Sequence, residues 1–184
     1  MILVFLANGT EEVEAITPVD IIKRAEKEVL TIAVGTDKEK IVTGSHGIKI
    51  SCDETENNLK MFLNKNLEMI IIPGGMPGTL NLEKSQNVQY AIDYCVNNNI
   101  FIGAICAAPS ILGHKGLLKN KTATCFPGFE EQLFGANITK DVIAKDEIFI
   151  TAKGLGAAVK FSLLLVSTLC GEELAKKIES SLQI

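Results

Sequence analysis

Three short stretches hold residue types that can do chemistry, and each follows an apolar run. Gly103-Ala104-Ile105-Cys106-Ala107-Ala108-Pro109 sets a cysteine among small neighbours, after an apolar run and ahead of a helical pattern. That is the cysteine form of a nucleophile elbow, a sharp strand-to-helix turn that tolerates only small residues beside the side chain it thrusts out of the sheet. At a helix N-terminus the sulfur would meet backbone N–H groups and the positive end of the dipole, so a thiolate populated near neutral pH is expected. Read alone, the segment serves equally as a buried cysteine filling an apolar run. Pro73-Gly74-Gly75-Met76-Pro77-Gly78 lets backbone approach a ligand closely. Amides of Gly75 and Met76 could form an anion pocket facing Cys106, although the same residues also make an ordinary turn. Asn8-Gly9-Thr10-Glu11-Glu12-Val13-Glu14 opens a helix with three acids. Glu11 and Glu12 read as complements to the helix dipole. Glu14 borders the apolar face carrying Val13 and Ile16 and can point inward, where burial and a neighbouring thiolate would keep it protonated and donating to sulfur.

Ligand sites in open parallel sheets lie beyond the carboxyl ends of the strands, so these stretches need strands behind them. Apolar runs rich in Ile, Val and Phe alternate with longer helical patterns, which predicts a parallel sheet wound by crossover helices. Strands are expected at Ile2–Ala7, Leu30–Val34, Met69–Ile72, Ile100–Ile105, Thr122–Cys125 and Ile148–Thr151, with a turn or small hairpin around Thr43–Gly47. Helices are expected at Glu11–Lys27, Ser85–Asn97, Ala107–His114, Phe129–Leu133 and Ala157–Leu169. Pro18 should kink the first of these, because it removes a backbone donor. Ala158, Phe161, Leu165 and Leu169 share a face of the last, which reads as core packing.

The chain has 184 residues, and no linker or repeat divides it, so a single domain over residues 1–184 is expected. Hydrophobic residues make up 47%, which excludes intrinsic disorder. A net charge of −4, no Trp and only two Tyr argue against a nucleic-acid partner. No apolar run is long enough to span a bilayer. The apolar N-terminus lacks a basic flank and soon meets Glu11, Glu12 and Glu14, so a first strand rather than a signal peptide is expected, and no membrane association. Five cysteines (Cys52, Cys95, Cys106, Cys125 and Cys170) with no C-x-x-C pair, beside two histidines, point away from disulfides and structural zinc and toward a cytoplasmic setting. His114 lies about 12 Å along the helix axis from Cys106, too far for a direct base. His46 sits on the expected hairpin and reads as exposed, with a dimer contact as the alternative.

Together, N-G-x-E-E-x-E with P-V-D, I-I-I-P-G-G-M-P-G, A-I-C-A-A-P-x-x-L and T-A-K-G-L-G-A-A resemble the ThiJ/PfpI superfamily, specifically its DJ-one branch, across almost the whole chain. The resemblance implies a flavodoxin-like three-layer α/β sandwich with a mostly parallel central sheet, usually a homodimer, which would suit the apolar first-helix region around Ile16, Val19 and Ile21. It implies that Cys106 is the reactive cysteine, Glu14 the acid that hydrogen-bonds it, Gly74 and Gly75 pocket-lining backbone, and Ala107 the elbow amide donor. Two positions depart from relatives. Ala107 stands where the protease-like branch has His, and Phe126, in Thr124-Cys125-Phe126-Pro127, stands where human-like members have His before Pro. The implied activity is a cofactor-independent, metal-free one on reactive dicarbonyls, of glutathione-independent glyoxalase or deglycase type, with a small carbonyl substrate. The alternative is an oxidative-stress sensor or chaperone in which Cys106 oxidises before the other cysteines. A weaker alternative, an amidase or peptidase-like hydrolase, lacks a His or Asp partner.

Overall fold

Strands covered on both faces read as continuous apolar runs, and the N-terminal run becomes the strand at the centre of the molecule. In the computed structural model, which describes residues 1–183, the chain order begins β1 (Ile2–Ala7), α1 (Glu12–Arg24), β2 (Val29–Val34), β3 (Ile41–Thr43), β4 (Lys49–Ser51) and β5 (Glu54–Thr55). It continues with β6 (Met69–Ile72), α2 (Gly78–Lys84), α3 (Gln86–Asn97), β7 (Phe101–Ile105), α4 (Pro109–His114) and β8 (Thr122–Ala123). It ends with β9 (Asn137–Ile138), β10 (Ile143–Asp146), β11 (Phe149–Ala152), α5 (Ala158–Cys170) and α6 (Glu172–Ser181). Ile184, the last residue of the expected domain, lies outside the described residues.

The main sheet runs β10-β11-β7-β6-β1-β2-β5, parallel throughout except for the β10–β11 pair. All six residues of β1 are buried, and their alternation sorts them between two cores. Ile2, Val4 and Leu6 pack with Ala15, Ile22, Phe161, Leu165 and Ile178 of α1, α5 and α6. Leu3, Phe5 and Ala7 pack with Leu82, Val88, Ile92 and Ile111 of α2, α3 and α4. The result is a flavodoxin-like three-layer sandwich, in which each fully buried large apolar side chain contributes about 1.5–3 kcal/mol.

After β1 the chain crosses to β2 and then β5, and returns to β6 on the other side of β1. The order therefore reverses between β1 and β6, and the crevice beyond their carboxyl ends is where such sheets bind ligands. The Glu11 amide donates to the Gly74 carbonyl at 3.0 Å across this gap.

Several local expectations are corrected. The expected strand Thr122–Cys125 shrinks to Thr122–Ala123, paired with β9 in a separate small sheet. Beyond it the Thr124 amide donates to Thr151 Oγ1, and the Phe126 amide to the Cys106 carbonyl, so this backbone is diverted to the elbow. Phe129–Leu133 is reduced to a single 3-10 turn, Glu130–Gln132. Helix α1 runs from Glu12 to Arg24, shorter at both ends than the expected Glu11–Lys27, with Pro18 inside it. Among the described residues, no helix is long and apolar enough to cross a membrane.

Candidate active site

At the end of β7 the backbone turns sharply. Cys106 has φ +66°, a left-handed conformation that costs a non-glycine residue on the order of 1–3 kcal/mol and must be held by its surroundings. The Cys106 amide donates to the Ala152 carbonyl at 2.8 Å, and its carbonyl accepts from the Phe126 amide at 2.8 Å. Ala107 and Ala108 are buried beside it, which explains the requirement for small neighbours. The sulfur, partly exposed, receives the backbone N–H groups of Ala107 and Gly75. The helix that follows, α4, is six residues long and starts only at Pro109, so its dipole lends little support.

Glu14 points inward from the first turn of α1 and is 1% exposed. Its Oε2 accepts the Gly74 amide at 3.0 Å, the Leu155 amide also donates to it, and it is hydrogen-bonded to Cys106. Burial raises this carboxyl to about 7, against the pull of the Cys106 hydrogen bond and the two amides. Burial likewise pushes the Cys106 thiol up to about 12; the Glu14 charge and hydrogen bond add to the rise, while the Ala107 and Gly75 amides oppose it. Burial and the Glu14 charge thus act against the expected resting thiolate, and the proton on sulfur has an acceptor at hand in the Glu14 carboxylate.

The glycines divide the work differently from the expectation that Gly74 and Gly75 both face the reacting centre. The Gly74 amide is occupied by Glu14. A Cβ added at Gly74 would fall 2.6 Å from Cys106 Cβ and 2.6 Å from Glu14 Oε2, so only glycine lets the acid and the thiol close up. Gly75 adopts φ +92° and supplies the amide at sulfur. Phe126 closes the far side: a Cβ added at Gly154 would meet its ring at 3.2 Å, Glu14 Oε1 at 3.6 Å and the Cys106 sulfur at 3.8 Å. Gly154 and Leu155, which complete this wall, were visible in sequence only as part of the T-A-K-G-L-G-A-A run.

The DJ-1/PfpI family profile matches residues 1–168. The chain belongs to the DJ-1/PfpI family. Protein DJ-1 homolog B of Arabidopsis thaliana is 32% identical over 177 residues, covering 94% of this chain. The chain spans only 38% of that plant protein's length. The protein named glutathione-independent glyoxalase DJ-1 in Schizosaccharomyces pombe is 28% identical, over 100% of this chain and 98% of its own. Among solved structures, Toxoplasma gondii DJ-1, oxidized, superposes with a TM-score of 0.91 at 30% identity, covering 99% of this chain and 97% of its own.

Glu12 plays a role in this DJ-1/PfpI chain that dipole complementation did not anticipate. It is buried under the β3–β4 hairpin, where Oε1 accepts the His46 amide at 2.8 Å and Oε2 lies 2.9 Å from His46 Nδ1. A Cβ at Gly44 would overlap the carboxyl at 2.3 Å, so the hairpin glycine makes room for it. Burial alone would raise this carboxyl, but the His46 side chain and the amides of Glu12, His46 and Ile48 outweigh it and bring it to about 2. The same contact raises His46, whose ring remains largely exposed. Donor atoms of Glu11, Glu12 and His46 all lie within 4.8 Å of one another, the one such cluster among the described residues. Hydrogen bonds from His46 and Ser45 already engage Glu11 Oε2 and both carboxylate oxygens of Glu12. His114 packs away from the site, with Nδ1 2.5 Å from Glu83 Oε1 and its ring against Phe134.

Because the folded Glu12 carboxyl lies below its ordinary 4.5, its contribution is present above pH 4.5 and is lost as pH falls through about 2. Glu12→Gln should cost about 2 kcal/mol at pH 7, the value of charged hydrogen bonds. The difference from wild type, read from urea melts, should vanish as pH falls through this window. A variant as stable as wild type at pH 7 would show that the clamp contributes nothing.

Proposed function

We propose that this chain is a cysteine-dependent, cofactor-independent enzyme acting on reactive α-dicarbonyls, of glyoxalase type. The observation that carries the reading is the convergence of the Cys106 thiol, a buried acid near neutrality and two amides at one point on the carboxyl edge of the sheet. The name of the fission-yeast relative supports the same reaction class.

In this reading the Glu14 carboxylate takes the thiol proton as Cys106 Sγ bonds to the aldehyde carbon, and returns it to the new alkoxide, giving a hemithioacetal. Glu14 next removes the proton on that carbon, and the Gly75 and Ala107 amides steady the enediolate oxygen. A proton moves between the two oxygens and Glu14 protonates the neighbouring carbon, leaving a thioester of the 2-hydroxy acid. Water cleaves the thioester, so dicarbonyl plus water becomes 2-hydroxy acid and free thiol. Each step uses only groups of this chain and water. Deglycation of proteins would follow from consuming the same dicarbonyls. Conversion of methylglyoxal to lactate by purified protein, absent in Cys106→Ser, tests the proposal; equal rates in both proteins would refute it.

The redox-sensor reading uses the same sulfur; burial and the Glu14 charge act against the thiolate that an oxidant attacks, and turnover has in addition the name of the fission-yeast relative in its favour. A peptidase reading lacks a histidine at the sulfur, since His46 is engaged by Glu12 and His114 by Glu83. A cytoplasmic location suits five cysteines that are all free.

Two further expectations belong to this proposal. Of the first-helix residues expected at a dimer contact, Ile21 is buried in the core and Val19 packs against it, whereas Ile16 lies exposed beside Val13 and lines a shallow groove with Val159 and Leu182. Pairing of two copies through this apolar face predicts a homodimer, and a monomeric mass in sedimentation at micromolar protein would contradict it. Phe126 cannot donate to a substrate oxygen as an imidazole can. Phe126→His should therefore raise methylglyoxal turnover several-fold; no gain would mean that this residue does not limit the rate.

A further inference from the structure

Phe126 is out of place as a mere substitute for histidine. Its ring edge, Glu14 Oε1 and the Cys106 sulfur all lie within 4 Å of the position a Gly154 Cβ would take, so the three surround one small space. Its backbone is tied to the elbow by the 2.8 Å bond to the Cys106 carbonyl, which holds the ring beside the thiol. The residue is nonetheless 47% exposed, so its ring offers apolar surface beside the thiol. Two residues whose backbone adjoins the site are also exposed and apolar: Met76, next to Gly75, at 44%, and Leu155, whose amide meets Glu14, at 50%. The Gly74 and Leu155 amides beside the thiol are already engaged by Glu14.

We propose that the mouth of this site accepts an apolar substituent against Phe126, and that its preferred dicarbonyls carry an aryl or branched-alkyl arm rather than a hydroxylated, sugar-like one. The preference for dicarbonyls rests on the proposed function; the apolar mouth does not. An aryl arm would cover exposed ring surface and gain hydrophobic contact. A hydroxylated arm would leave water for the Phe126 ring, which offers it no hydrogen bond, and would lose binding accordingly. Phe126 is then the specificity-determining residue, and its effect should appear in the ratio of rates for two arms rather than in either rate alone.

The test pairs two alkylating reagents with one reacting group, iodoacetamide and its N-phenyl analogue iodoacetanilide. In both, Cys106 Sγ bonds to the methylene carbon, iodide leaves with the C–I electron pair, and the thiol proton passes to Glu14 or solvent. Rates at Cys106 are read by peptide mass spectrometry and divided by each reagent's rate with glutathione, which removes intrinsic reactivity. The expected result is a preference of about tenfold or more for iodoacetanilide, falling toward unity in Phe126→Ser. The matching comparison is kcat/KM for phenylglyoxal against hydroxypyruvaldehyde, whose ratio should fall by about the same factor in Phe126→Ser. A normalised preference near unity in wild type, or one unchanged in Phe126→Ser, would overturn the inference. Selective alkylation without turnover of any dicarbonyl would support the apolar mouth and refute only the proposed reaction.

Discussion

Glu14→Gln should lower methylglyoxal turnover by about 10²–10⁴-fold, the range for loss of a positioned general base. It should also remove a cost in stability. The folded carboxyl is raised from 4.5 to about 7, so between these values the folded protein holds a proton that the unfolded chain has released. Stability conferred below pH 4.5 is therefore lost as pH rises to about 7, on the order of 3 kcal/mol in all. Gln keeps an oxygen for the Gly74 amide but turns an N–H₂ group toward the Leu155 amide, so its absolute stability is set by two opposing effects. The slope separates them. Wild-type stability measured relative to the Gln variant should fall from pH 4.5 to 7 and level off above. Parallel stability curves for the two proteins would mean that Glu14 does not hold a raised proton affinity in the fold.

Gly75→Ala should be among the most damaging single substitutions outside the core. The new Cβ would sit 2.3 Å from the Glu11 nitrogen, 2.5 Å from the Gly9 carbonyl oxygen and 2.7 Å from the Thr10 carbonyl carbon. All three are backbone atoms, which cannot swing aside as a side chain can, and φ at +92° is itself unfavourable for alanine. Overlap and strain together are expected to cost about 4 kcal/mol, or about 8–16 °C in Tm for a chain of this length. Gly156→Ala is the matched control: a Cβ there meets nothing within 4 Å, and stability should change by less than about 1 kcal/mol. Similar melting temperatures for Gly75→Ala and wild type would mean that the loop after β6 is not wedged against the loop after β1.

What was legible in the sequence follows from how local each signal is. Ile2–Ala7 and Met69–Ile72 were read to the residue, because buried parallel strands announce themselves as apolar runs bounded by turn residues. Cys106 was legible for a related reason, since the small residues that an elbow needs are its immediate neighbours. Polar partnerships were not. Nothing near Glu12 in the chain foretells His46, 34 residues on, and nothing near Glu14 foretells that the Gly74 amide, 60 residues on, would be spent on it. The resting thiolate was expected from a helix terminus alone, whereas burial and a carboxyl brought from another element also act on the thiol and push it the other way. Helix α6 was legible but missed: Leu174, Ala175, Ile178 and Leu182 recur at helical spacing along one side of a charged stretch.

The central claim is that Glu14 serves as the base for Cys106. The pH dependence of kcat/KM for lactate formation from methylglyoxal, measured from pH 5 to 9, tests it most directly. A carboxyl raised to about 7 predicts a rate that rises tenfold per pH unit on the acid side and levels off with a midpoint near 7, because the base form appears as the proton leaves. A profile flat from pH 5 upward, or one that keeps rising to pH 9 as a free thiol ionises, would contradict the pairing of Cys106 with Glu14.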